Sequence, residues 1–181
     1  AEAVQSYAEV ASWIGPAVDL ILCETVASLA HAEAVLEGAK QAGKPVWIAF
    51  TLDDTDGRRL RSGEPVTDCV EVAQRLGAEA ILANCSVPEV MHSALEVFSD
   101  SGLPFGAYAN GFTHIDSAFL SEASTVDALT SRNDLSPTAY TDFVLQWVES
   151  GATIVGGCCE VGPDHIREVA RALLSQGHTL V

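Results

Sequence analysis

The chain has 181 residues and a mass of 19.0 kDa, a length that suits one domain spanning 1–181. Hydrophobic residues make up 48% and mean hydropathy is +0.22, which excludes a disordered chain. The 25 Asp and Glu against 9 Lys and Arg give a formal charge of −16, which would repel a nucleic-acid backbone or an anionic membrane surface.

Predicted elements alternate along the chain. An amphipathic stretch at 2–14 precedes the apolar run VDLILC at 18–23, and a second at 27–42 precedes VWIAFT at 46–51. Further helical stretches at 65–76, 88–101 and 137–150 precede EAILANC (79–85), PFGAYAN (104–110) and ATIVGGC (152–158), and a last helix is expected at 163–176. The runs are apolar on both faces, as in buried parallel strands. Ser136 before Pro137 and Gly162 before Pro163 mark helix starts, and Gly43, Gly77, Gly102 and Gly151 mark helix ends. Strand starts at 18, 46, 79, 104 and 152 lie 28, 33, 25 and 48 residues apart, which fits successive βα units with one long insertion at about 111–135. An α/β barrel and a doubly wound sheet both accommodate this pattern. No apolar run approaches the roughly 20 residues needed to span a bilayer, and the N-terminus has no signal-peptide pattern, so a cytoplasmic protein is expected.

In either architecture ligands bind at the C-terminal ends of the strands. Those ends carry Glu24, Thr51, Asn84 with Cys85, Asn110, and Cys158 with Cys159. Three thiolates with one open position make a soft, zinc-type site that can bind an incoming thiol, and Cys85, Cys158 and Cys159 are the candidates. Adjacent strand residues point to opposite faces, so Cys158 and Cys159 can share a metal only where the strand has ended. Gly156 and Gly157 permit that turn. Spacing alone leaves core packing open for this pair; Cys23 and Cys69, with no partner at ligand spacing, read as core thiols.

IVGGCCEVGPDHI at 154–166, with ANCSVPE at 83–89, DLILCET at 19–25 and WIAFTLDDTDGRRLRSGEP at 47–65, resembles the homocysteine S-methyltransferase family over nearly the whole chain. The resemblance implies a (β/α)8 barrel with Zn²⁺ held by Cys85, Cys158 and Cys159. It also implies transfer of a methyl group from an onium donor (S-methylmethionine, S-adenosylmethionine or betaine) to homocysteine, giving methionine. Glu24, in the ET pair, would then face the homocysteine ammonium, and Asn110, in a YAN segment similar to the family's YPN, would ligate zinc or orient substrate. Asn84 is expected to brace its turn, His165 to cap or pack, and Arg58, Arg59 and Arg61 to lie on a solvated loop. Glu160 stands where the family motif has glycine. Five βα units are recognisable, resembling strands four to eight, so a partial barrel is expected whose open edges are covered by a missing N-terminal segment or by self-association. Two other functions remain open: a structural zinc site without catalysis, and a barrel enzyme that binds phosphate at the Gly156–Gly157 loop.

Overall fold

The computed structural model describes residues 2–115, 125, 127 and 129–181. Helix α1 (Glu2–Ile14) is followed by β1 (Ile21–Val26), α2 (Leu29–Ala39), β2 (Val46–Phe50), α3 (Val66–Arg75) and β3 (Ala80–Asn84). Then come α4 (Pro88–Ser99), β4 (Phe105–Tyr108), α5 (Pro137–Glu149), β5 (Ile154–Val155) and α6 (Pro163–Ser175). Ser28 and Ser136 accept from the His31 and Ala139 amides and so cap α2 and α5. The glycines at 43, 77, 102 and 151 all take the positive φ of helix ends.

The strands form one parallel sheet in the order β1-β2-β3-β4-β5. A doubly wound sheet reverses its strand order part-way. This one does not, and each helix packs against the next. The side chains then divide as in a barrel wall. Ile48, Phe50, Ile81, Ala83, Phe105 and Ala107 face the helices in the main core, whereas Trp47, Ala49, Ala80, Leu82, Tyr108 and Ile154 form the inner face. The result is a partial (β/α) barrel in which β1 and β5 each pair on one side only among the described residues.

Two strand boundaries differ from expectation. β1 begins at Ile21 rather than 18, because Ile21 N donates to Pro45 O at 2.9 Å and β2 itself begins just after that proline. The partner sets the register, and Glu24 therefore lies within the strand. β5 is two residues long where seven were expected: beyond Val155 the regular ladder ends, although the Gly156 and Cys158 amides still donate to Ala107 O and Ala109 O at 3.3 and 2.9 Å past the end of β4's pairing. The insertion at 111–135 falls partly outside the described residues; its two ends meet in an antiparallel bridge, Phe112 with Ser131.

Candidate metal centre

Cys85 follows the last residue of β3 and takes a left-handed conformation (φ 50°). Beyond β5 the backbone runs through Gly156 and Gly157 into a turn closed by Val161 N donating to Cys158 O at 3.1 Å. Cys158 N donates to Ala109 O and Gly111 N to Cys159 O, at 2.9 and 2.8 Å, which ties this turn to the end of β4. The Sγ atoms of Cys85, Cys158 and Cys159 lie within 4.8 Å of one another, and those of Cys158 and Cys159 are 3.9 Å apart. Tetrahedral zinc with Zn–S of roughly 2.3 Å spaces its sulfurs about 3.8 Å apart, so the donor set fits that ion with little movement. Cys159 is exposed and the other two are half-buried, which leaves one side open to an entering ligand.

The thiols are electrostatically unequal. A hydrogen bond from Cys158 holds the Cys85 pKa below the usual thiol value against burial, and the neighbouring Asn110 amide adds to it. Cys158 is pushed up, first by giving that hydrogen bond and then by burial, and burial raises Cys159. A divalent cation would replace these protons.

The structure brings Glu24 and Asn110 to the same rim. Glu24, exposed on the inner face, accepts from Tyr108 OH at 3.3 Å, and burial followed by the Glu24 charge pushes the Tyr108 pKa up, which keeps the phenol a donor. Asn110 is fully buried; its Oδ1 accepts from Phe112 N at 3.1 Å, and its Nδ2, beside the Cys85 thiol, makes no hydrogen bond of full geometry among the described residues. Asn84 braces a turn as expected, but the turn is that of another strand: it accepts from Thr25 N at 3.0 Å and donates to Thr25 Oγ1 at 2.9 Å, holding Thr25 at φ 60° beside Glu24. Cys23 and Cys69 are buried in the main core.

Several expectations need correction. Gly157 serves clearance rather than flexibility: its φ is not positive, and a Cβ there would lie 2.2 Å from Val161 Cγ1. The left-handed position is Glu160, at φ 64°, where the family glycine would sit without strain, and its carboxylate accepts from Ser131 Oγ at 2.9 Å. Glu160→Gly is expected to raise stability by up to about 1 kcal/mol, or about 2–4 °C in Tm, and a lower Tm would show that the Ser131 contact outweighs the strain. Arg58 and Arg59 are exposed as expected, but Arg61 is nearly buried against Asp54. His165 caps α6: Nδ1 accepts from Gly162 N at 3.2 Å, which leaves Nε2–H to donate to Leu135 O at 3.0 Å.

Sequence reasoning missed Tyr140. Its ring is fully buried on α5, and its hydroxyl donates to Gly156 O at 2.7 Å and accepts from Ala109 N at 3.1 Å, joining the ends of β4 and β5. One aromatic among three in an amphipathic helix, with Phe143 and Trp147, carries no signal of this role.

A family model described as homocysteine S-methyltransferase matches residues 1–173. The chain belongs to the homocysteine S-methyltransferase family. Homocysteine S-methyltransferase 4 of Zea mays is 31% identical over 164 residues, covering 88% of this chain and 45% of that protein. Selenocysteine methyltransferase of Astragalus bisulcatus is 29% identical over 162 residues, covering 87% of this chain and 45% of that protein. The chain thus spans about half the length of the curated relatives it matches. The homocysteine methyltransferase MmuM of Escherichia coli in its apo form superposes with a TM-score of 0.69 at 24% identity, over 94% of this chain and 56% of that one, a likeness of fold. MmuM is also known in a metallated form, which superposes with a TM-score of 0.69 at 24% identity over 93% of this chain and 52% of that one.

Proposed function

We propose that this chain forms the thiol-activating part of a cytoplasmic, zinc-dependent enzyme that moves a methyl group from an onium donor (S-methylmethionine, S-adenosylmethionine or betaine) to homocysteine, giving methionine. The observation that carries the reading is the convergence of Cys85, Cys158 and Cys159 at the C-terminal ends of parallel strands, in a chain of this family. Zinc held by Cys85, Cys158 and Cys159 would leave room for the homocysteine thiol and would lower its pKa enough to ionise it near neutral pH.

The chain's own groups place the rest of the substrate. Glu24 offers its carboxylate to the ammonium, with Tyr108 OH fixing one oxygen and the Asn84–Thr25 clamp fixing the backbone. Asn110 Nδ2, buried beside Cys85 and without a hydrogen bond of full geometry among the described residues, is a donor for a substrate acceptor beside the thiols. The reading has the open edges and inner face covered by N-terminal barrel units or by a second copy of the chain.

In a protein with the barrel complete, homocysteine methylation should collapse on chelation and return with added zinc. Glu24→Gln should raise the homocysteine KM about tenfold or more, since a charge-assisted contact is worth about 1.5–3 kcal/mol, and leave kcat within about twofold because the contact is to a non-reacting group. Full activity in chelator would refute the metal's part, and an unchanged KM the role of Glu24.

The alternatives fit less well. Of the amides at the Gly156–Gly157 loop, that of Gly156 already donates to Ala107 O, and the next one on, Cys158, donates to Ala109 O, which leaves few donors for a phosphate. A structural zinc site wants four protein ligands, and the cluster among the described residues holds three.

A further inference from the structure

The loop between β2 and α3 closes on itself through antiparallel bridges, Leu52 with Leu60 and Arg59 with Pro65, and carries a nearly buried ion pair. Asp54 and Arg61 side chains are 8% and 13% exposed, with Nη1 to Oδ2 at 3.3 Å. A pair so withdrawn from water brings little net stability by itself. Its contacts indicate what it does. Asp54 Oδ1 accepts from Val87 N at 3.1 Å, two residues past Cys85, and Oδ2 accepts from Ile115 N at 2.7 Å. Arg61, held by Asp54, donates through Nε and Nη2 to Thr51 Oγ1 at 3.4 and 3.3 Å. A guanidinium can only donate, so it occupies the acceptor side of the Thr51 hydroxyl and leaves the proton for Cys85 O, at 3.2 Å, or for Ser86 Oγ, at 3.3 Å, the two acceptors on either side of the peptide that follows Cys85.

Cys85 has a left-handed conformation that costs an L residue about 1–2 kcal/mol. The peptide planes on either side set the direction of its Cβ, from which χ1 then places Sγ. The plane before Cys85 is held by its N–H, which donates to Tyr108 O at 3.3 Å. The plane after it is held by Thr51, a residue only 3% exposed. We propose that Thr51, locked by the Arg61–Asp54 pair, is a positioning residue for the metal ligand Cys85. This rests on the thiolate metal centre proposed above.

The test is a cobalt(II) titration of the wild-type protein, Thr51→Val, Thr51→Ser and Asp54→Asn, with thermal unfolding run alongside. Thr51→Val, nearly isosteric, and Asp54→Asn are expected to bind cobalt about 10–100-fold more weakly, as when the groups orienting metal ligands are removed. Their thiolate-to-cobalt charge-transfer band should fall by roughly a third as the set drops from three thiolates to two. Thr51→Ser keeps the hydroxyl and should restore both. Should Asp54→Asn fail to fold, the Thr51 pair decides alone. Wild-type affinity and band in Thr51→Val, or equal impairment in Thr51→Ser, overturns the inference. A wild-type protein with no three-thiolate band would sink the metal centre itself, and the inference with it.

Discussion

Changing Cys85, Cys158 or Cys159 to Ser is expected to strip zinc from the protein, while Cys23→Ala and Cys69→Ala keep it. Thiolate-rich zinc sites bind with about 10–16 kcal/mol in total, so losing one of three thiolates removes about 3–5 kcal/mol, or roughly two to four orders of magnitude in affinity. Serine cannot compensate, because its hydroxyl does not ionise near neutral pH and its oxygen is the harder ligand. Cys23 faces the helices on the side of β1 away from the cluster, and burial pushes its pKa to about 11. Cys69 is buried on α3, its Sγ directed at Pro65 O. Both should lower stability modestly on truncation without touching the metal. Zinc content of the five purified variants after dialysis is the measurement. Full retention in Cys159→Ser would leave two thiolates, too few for the proposed centre.

Tyr140→Phe is expected to damage fold and site together. The ring stays packed edge-on against Trp147 and His165, with centroids 6.0 and 5.9 Å away, so the change isolates the hydroxyl. Removing it orphans the buried Ala109 N–H and deprives Gly156 O of its 2.7 Å donor. An unsatisfied buried group costs about 1–3 kcal/mol, and each kcal/mol lowers Tm by about 2–4 °C in a domain of this size. The two backbone groups lie one residue before Asn110 and two before Cys158, so the strand ends that carry site residues lose their tie. A loss of zinc affinity of about 10–100-fold is expected from that alone. Thermal unfolding and competitive zinc titration together read the outcome. A lowered Tm with unchanged zinc affinity would make Tyr140 a core residue and nothing more.

The sequence by itself determined what depends on neighbours along the chain. Helix and strand periods, the serine cap at 136, and the glycine ends of four helices are local choices of backbone and hydrogen bonding, and they reappear in the structure. Parallel strands place their C-terminal ends on one rim, so Cys85, Cys158 and Cys159 could be read as one candidate cluster, although spacing alone left core packing open for the pair, and the structure brings the three Sγ atoms together. Periodicity and spacing left the barrel and the doubly wound sheet both open; the family resemblance implied the barrel, and the tertiary structure showed it, because strand order is a matter of which edges pair and not of any local preference. The tertiary structure likewise moved β1 by three residues, since register follows the partner strand. The supporting groups were illegible for the same reason. Tyr140 meets Ala109 across 31 positions, Thr51 meets Cys85 across 34 and Asn84 meets Thr25 across 59. A buried polar group must find a partner, but which partner depends on what the completed fold places within about 3 Å.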